Sequence, residues 1–171
     1  VAVLSMGDVV TSESIKVAGD MFDMSILQYV KKEYKLLIGE RTAEDIKITI
    51  GTVYPHSRDE VMDIRGRDNV TGLPRTVQIT SQEVQESLHE SIMTIVQSAK
   101  NVLEKTPPEL AGDIIDRGIL LTGGGALLHG LEGLLTEELR VPVFVAENPL
   151  DCVAIGTGIL LDNIDSIKRR R

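Results

Sequence analysis

The residues with the clearest capacity to bind a ligand form a glycine turn at Gly123, Gly124 and Gly125. The turn follows the short apolar run 119–122 and precedes leucines that recur at helical spacing. This pattern predicts a strand buried on both faces, a tight turn, and a helix that follows the glycines at once. Such a junction presents backbone N–H groups and the positive end of a helix to one point, which suits a flat or anionic ligand such as a nucleotide.

The same three glycines would also serve a turn with a purely structural role, and the pattern alone leaves both readings open. The spacing matches neither the dinucleotide fingerprint G-x-G-x-x-G nor the phosphate loop G-x-x-x-x-G-K-[ST]. Neither of those binding mechanisms therefore applies here.

A second candidate pair is Glu44 and Lys47, three residues apart on a helix predicted from about Thr42 to Gly51. The apolar face of that helix carries Ala43, Ile46 and Ile50. Glu44 and Lys47 lie on another face, close enough to pair with each other. A surface pair of this kind contributes only about 0.2–0.5 kcal/mol, so its spacing alone assigns no chemistry.

The remaining reactive side chains indicate neither a metal site nor a catalytic residue. His56, His89 and His129 lie far apart and have no Cys or acidic partner at ligand spacing. No Ser-His-Asp or Cys-His arrangement stands out. The single cysteine, Cys152, has apolar neighbours and is predicted to be a small buried residue. One cysteine cannot form an internal disulfide, which fits a reducing, cytoplasmic compartment.

The composition is that of an ordinary globular protein, with 171 residues, 42% hydrophobic and 26% charged. A net charge of -8 argues against a nucleic-acid partner, because that function needs a basic surface. The basic cluster 168–171 is predicted to be a solvated tail, with weak contact to an acidic lipid surface as the alternative. No apolar run has the length of a membrane span. Because the chain starts at Val1 within a strand-like run, we expect it to be a piece of a longer protein.

The first elements are predicted to be a β-hairpin and a helix. Residues 1–4 and 9–11 flank the turn Met6-Gly7-Asp8. Asp20 is the predicted N-cap of the helix, and Asp23 is expected in its first turn, where a carboxylate suits the helix dipole.

The middle of the chain alternates with a period of two, which predicts strands near 61–65 and 75–79 in a small β-rich insertion. Thr80 and Glu83 form a capping box that opens the clearest helix in the sequence. Pro107-Pro108 is predicted to stop that helix.

The last third is predicted to contain a strand-helix-strand unit over residues 118–145, with a parallel strand at 141–145 and a right-handed crossover. Asn148 is the predicted cap of a final helix that has Pro149 at its first position. This helix has a small-residue face suited to close packing, formed by Cys152, Ala154, Gly156 and Gly158.

Taken together, segments spread along the chain resemble the MreB/Mbl family of bacterial actin homologues, part of the superfamily of actin, sugar kinases and seventy-kilodalton chaperones. They are AGDMFDMSI (18–26), GERTAEDIK (39–47), GLPRTVQITSQEV (72–84), ILLTGGGALLHGL (119–131) and ENPLDCVAIGTG (147–158). The resemblance covers nearly the whole chain, and it is specific as a set.

This resemblance implies an α/β fold, namely the second lobe of an actin-like ATPase (ribonuclease H-like), in which helices flank a mixed sheet. Residues 1–30 and 115–171 would form the sheet-and-helix subdomain. Residues 31–114 would form a smaller inserted α+β subdomain.

In that superfamily adenosine lies between two lobes, so the resemblance implies ATP or ADP as cofactor. The nucleotide-binding residues it implies are Gly19, Glu44, Lys47, Gly123, Gly124, Gly125 and Ala126. The phosphate loops and the catalytic acid belong upstream of Val1, as does the Mg²⁺ machinery of the full-length parent. We therefore expect no catalytic residue and no metal ligand here, and no ATP hydrolysis by this chain alone.

The function implied is that of a cytoskeletal protein that forms ATP-dependent filaments and governs rod cell shape by organising cell-wall synthesis. The implied partners are further copies of itself and membrane-anchored morphogenic and cell-wall synthesis proteins, at the inner face of the cell membrane. The alternatives are a lobe of another superfamily ATPase such as a sugar kinase, for which the sequence carries no acceptor-binding signature, and a protein-interaction module.

Overall fold

The structure is a computed structural model that describes residues 1–162, so the basic cluster 168–171 lies outside the described residues. In chain order the strands and helices are β1 (Ala2–Ser5), β2 (Asp8–Ser12), α1 (Gly19–Glu33), β3 (Leu36–Leu37), α2 (Glu40–Ile50), β4 (Val61–Asp68), β5 (Pro74–Thr80), α3 (Ser81–Glu104), α4 (Pro108–Arg117), β6 (Ile119–Leu121), α5 (Leu131–Leu139), β7 (Val143–Val145) and α6 (Cys152–Asp162). A short 3-10 helix, Gly124–Leu127, lies between β6 and α5.

The mixed helix and strand content confirms the α/β class, but the described strands form three small sheets instead of one mixed sheet. Strands β1 and β2 make the predicted antiparallel hairpin, with Gly7 at a positive φ of 88° in its turn. Strands β3, β4 and β5 form an antiparallel sheet. Strands β6 and β7 pair in parallel, as predicted for the strand-helix-strand unit.

Helix α1 begins at Gly19, two residues before the start that a cap at Asp20 implies. Its N-cap is Ala18, in extended conformation and with no side-chain cap, so the prediction of Asp20 as cap is wrong. The backbone carbonyl of Ala18 accepts the N–H groups of Met21 and Phe22 instead. Asp20 lies in the first turn and Asp23 in the second, where its carboxylate faces a neighbouring helix.

The capping box of α3 is confirmed. The Thr80 hydroxyl accepts the N–H of Glu83 at 3.3 Å, and the Thr80 N–H donates to Glu83 Oε2 at 2.8 Å. The helix ends at Glu104, before the two prolines. Pro108 then starts the unpredicted helix α4, because proline lacks the N–H that a first helical position leaves free.

One hydrophobic cluster joins α1, α2 and α3 to β3–β5 and to the α5–β7 region. Its fully buried members include Ile26 and Val30 of α1, Ile46 of α2 and Leu88 of α3. Leu131 and Leu135 of α5 extend the same cluster. This cluster contains residues of both predicted subdomains, so it does not mark a boundary between them. The division into residues 1–30 with 115–171 and residues 31–114 stays a prediction.

The last described helix differs from its prediction. Helix α6 begins at Cys152, and Asn148 contributes only its backbone carbonyl, which accepts from Asp151 N and Cys152 Sγ. Cys152 is half-buried, so it is not the fully buried residue predicted. A side chain at Gly156 or Gly158 would meet no atom within 4 Å, so these two positions of the small-residue face make no close contact within residues 1–162.

None of the helices in this described part has the length and apolar character needed to cross a membrane.

Candidate functional site

The glycine turn lies at the carboxyl end of β6, as predicted, but its surroundings differ in two ways. Leu120 of β6 is 64% exposed, so this strand is not buried on both faces within the described chain. The glycines enter the short 3-10 helix, and α5 starts only after Gly130, which adopts φ +82°. The positive end of α5 is therefore not at the glycines, and that part of the prediction is wrong.

The backbone of the turn is nevertheless open. Gly123 donates its N–H to the carbonyl of Pro149 at 2.7 Å, whereas the N–H groups of Gly124 and Gly125 find no backbone acceptor within residues 1–162. A Cβ at Gly125 would meet nothing within 4 Å, and one at Gly124 would meet only the exposed side chain of Leu150. A planar ligand can approach these two N–H groups closely, because the glycines have no side chain of their own and only the exposed Leu150 side chain lies near one of them.

Lys47 makes a different ion pair from the one predicted. Its Nζ lies 2.9 Å from Oδ1 and 3.0 Å from Oδ2 of Asp23, and 3.4 Å from the backbone carbonyl of Gly19. The pair with Glu44 that the spacing allows is not formed, because packing of α1 on α2 brings a carboxylate from 24 residues away. Gly19 and Lys47 are thus brought together at the start of α1.

Glu44 stays exposed on α2, one turn before Lys47. It forms no hydrogen bond or ion pair within residues 1–162, so its carboxylate is available as a hydrogen-bond acceptor. Helix α2 is held by its apolar face, on which Ala43, Ile46 and Ile50 are buried. The apolar spacing therefore predicted correctly which face of α2 is buried, and that Glu44 and Lys47 lie outside that face.

The segment that follows α2 contacts the segment that follows the glycine turn, through residues that sequence reasoning missed. Val53, just after α2, donates its N–H to the carbonyl of His129 at 3.0 Å. The Thr52 hydroxyl lies 3.2 Å from His129 Nδ1. A Cβ at Gly130 would lie 2.6 Å from Tyr54 Cβ, so only glycine permits this approach. The positive φ of Gly130 has no signal in the sequence beyond the glycine itself.

Within residues 1–162, no three His, Cys, Asp or Glu side chains are placed to share a metal ion. The open glycine turn and the polar groups of α2 offer main-chain donors, a carboxylate and an ammonium, which are groups that can hydrogen-bond a nucleoside.

Comparison with solved structures defines the class of protein. The chain superposes on MreB5 of Spiroplasma citri bound to ADP with a TM-score of 0.92 and 40% identity, over 99% of this chain and 52% of that one. The AMPPNP-bound form of MreB5 gives a TM-score of 0.91 over 99% of this chain and 51% of that one, also at 40% identity. A MamK double helical filament shares the fold at 21% identity and a TM-score of 0.63, over 80% of this chain and 42% of that one. The fold is therefore actin-like.

Sequence comparison defines the family. The family model described as MreB/Mbl protein matches residues 1–169. The cell shape-determining protein Mbl of Bacillus subtilis (strain 168) is 67% identical over 171 residues, which are all of this chain and 51% of that protein. The chain belongs to the MreB/Mbl family, and it spans about half the length of the curated relatives it matches.

Proposed function

We propose that this chain supplies the adenosine side of a nucleotide cleft in an actin-like cytoskeletal protein, with ATP and ADP as ligands. The observation that carries the proposal is the open glycine turn at Gly123–Gly125, in which the N–H groups of Gly124 and Gly125 have no backbone acceptor within residues 1–162 and no side chain of their own beside them. Further support comes from MreB5, which is 40% identical over 99% of this chain and has been solved with ADP and with AMPPNP.

Each candidate residue has a role suited to its chemistry. The backbone of residues 123–126 meets the flat face of adenine and the ribose, because the three glycines have no side chain and Ala126 is buried. The exposed Glu44 carboxylate accepts a ribose hydroxyl, and the Lys47 ammonium donates to an oxygen or ring nitrogen at the base edge. Gly19 leaves room beside that ammonium, since a Cβ there would lie 3.5 Å from Nζ.

At the level of the whole protein, the proposal is an ATP-dependent filament that governs rod cell shape, since the chain is 67% identical to a cell shape-determining protein. Its partners are further copies of itself, and membrane-anchored morphogenic and cell-wall synthesis proteins. Its location is cytoplasmic, at the inner face of the cell membrane. Magnesium would be held mainly by the nucleotide phosphates and by residues outside this chain.

The nucleotide proposal is tested by equilibrium binding of ADP and ATP to the 171-residue chain and to Gly124→Val and Gly125→Val. Both substitutions are sterically tolerable, since only the side-chain end of Leu150 lies near position 124 and nothing lies near position 125. We expect both variants to lose binding while they keep the wild-type circular dichroism spectrum, because a branched side chain blocks the main chain.

The matched control is Gly112→Val on α4, where a side chain also meets open space. This variant should bind like the wild type. Binding that survives unchanged in both turn variants would refute the glycine turn as the ligand site.

A further inference from the structure

The ion pair between Lys47 and Asp23 is unusually enclosed for a pair of charged side chains on neighbouring helices. The two side chains are only 16% and 15% exposed. Exposed lysines normally keep their ammonium in water, because transfer of a charge away from solvent is unfavourable without a partner. Here Asp23 supplies that partner with both of its carboxylate oxygens.

The hydrogen bonds of the lysine are not equivalent. An ammonium group has three N–H donors. One donates to Oδ2 of Asp23 at 3.0 Å and one to the carbonyl of Gly19 at 3.4 Å, whereas Oδ1 of Asp23 lies 2.9 Å from Nζ but accepts no hydrogen bond within residues 1–162. The contact to Gly19 is the longest, so it is the one that a ligand oxygen or nitrogen can replace while Asp23 still holds the ammonium in place.

We propose that Asp23 is the positioning residue of the nucleotide site: it fixes the Lys47 ammonium beside Gly19 and neutralises its charge, so that the lysine recognises the nucleoside and not the phosphates. This inference rests on the proposed nucleotide site. It assigns a ligand preference to that site, because a neutralised lysine donates a hydrogen bond but attracts a phosphate only weakly.

Two further carboxylates lie on the same two helices. Glu44 lies one turn before Lys47 on α2, and Asp20 lies in the first turn of α1. Both are carboxylates, so they add negative charge and do not favour a phosphate. The positive charge of Lys47 is offset by the carboxylate of Asp23, which weakens the attraction of this part of the site for phosphate.

The test compares the affinities of adenosine and ADP for four forms of the 171-residue chain at low salt: wild type, Asp23→Asn, Lys47→Gln and the double variant. Asp23→Asn leaves an uncompensated cation, so the preference for ADP over adenosine should rise about fivefold. Lys47→Gln leaves an uncompensated anion, so the same ratio should fall by a similar factor. The double variant is neutral and should return to the wild-type ratio. Both single-variant shifts should largely disappear at about 1 M salt.

A purely structural role for Asp23 would lower both affinities by the same factor and leave the ratio unchanged, which would overturn the proposal. If Asp23→Asn does not fold, Lys47→Gln and the double variant still test the proposal. The proposal is overturned if the preference for ADP over adenosine does not fall in Lys47→Gln, or if it does not return to the wild-type value in the double variant.

A ligand-free measurement separates this inference from the nucleotide site itself. The nitrogen-15 signal of the Lys47 ammonium should be visible in the wild type, because the ion pair slows its hydrogen exchange, and Asp23→Asn should abolish it. Absence of the signal in the wild type overturns the positioning role. A wild-type chain that shows the signal but binds neither adenosine nor ADP overturns the nucleotide proposal, and with it the ligand preference assigned to Asp23.

Discussion

Lys47 shows what residue spacing along one helix can and cannot predict. Spacing along α2 places Lys47 three positions from Glu44, close enough for an ion pair. The folded chain pairs it with Asp23 of α1 instead. A partner 24 residues distant depends on how two helices pack, and no local pattern contains that information. The polar character of the site was predictable from the sequence, whereas its pairing was not.

Asp68 gives a residue-scale prediction about acid stability. Backbone N–H groups of Thr71 and Val70, together with the Arg75 guanidinium, hold the pKa of this carboxyl at about 2. The folded pKa is depressed, so the carboxylate stabilises the fold above about pH 4 and this contribution is lost as the pH falls toward 2. Asp68→Asn should therefore lower the free energy of unfolding at pH 7 and lose its difference from wild type at acidic pH.

Urea unfolding at a series of pH values measures that difference. Asp63→Asn is the matched control, since Asp63 lies on the same strand and is exposed. A difference between Asp68→Asn and wild type that stays constant from pH 7 to about pH 2 would contradict the assignment.

At the scale of elements, Gly130 is the position where the chain after the glycine turn meets the segment after α2. Gly130→Ala should lower the free energy of unfolding by about 1–3 kcal/mol, because φ is +82° and the new Cβ would lie 2.6 Å from Tyr54 Cβ. Thermal and urea unfolding measure the effect.

Gly112→Ala is the opposite case and serves as its control. Position 112 lies within α4, where a Cβ meets open space. Alanine is the better helix former, so this substitution should raise the free energy of unfolding by about 0.5–1 kcal/mol. Equal effects of the two substitutions would show that Gly130 is not a close-contact position.

Elements with strong local signals were predictable. The capping box of Thr80 and Glu83, the apolar stripe of α3 and the hairpin β1–β2 follow from patterns of a few residues, and all are present. The start of α5 was not predictable from the sequence, because the helical spacing of the leucines continues through the short 3-10 helix. Only the positive φ of Gly130 marks where α5 begins. Helix α4 is not expected from the sequence, because Pro107-Pro108 predicts the end of a helix, whereas Pro108 also starts the next one.

At the scale of the whole molecule, we expect this chain not to hydrolyse ATP above background. Phosphoryl transfer requires phosphate and metal groups positioned together, and the site proposed here contacts only the adenine and the ribose. A phosphate-release assay on the repurified chain measures this. Steady turnover that Glu44→Ala abolishes would show that the chain carries its own catalytic machinery.

The central claim is that α1, α2 and the glycine turn form one site for adenine nucleotide. An amide chemical-shift map of the 171-residue chain, titrated with ADP and ATP, tests it most directly. The account predicts shifts at Gly19, Glu44, Lys47 and residues 123–126, nearly alike for the two nucleotides because the contacts reach adenine and ribose. Shifts confined to residues 65–73, with those positions unchanged, would contradict it.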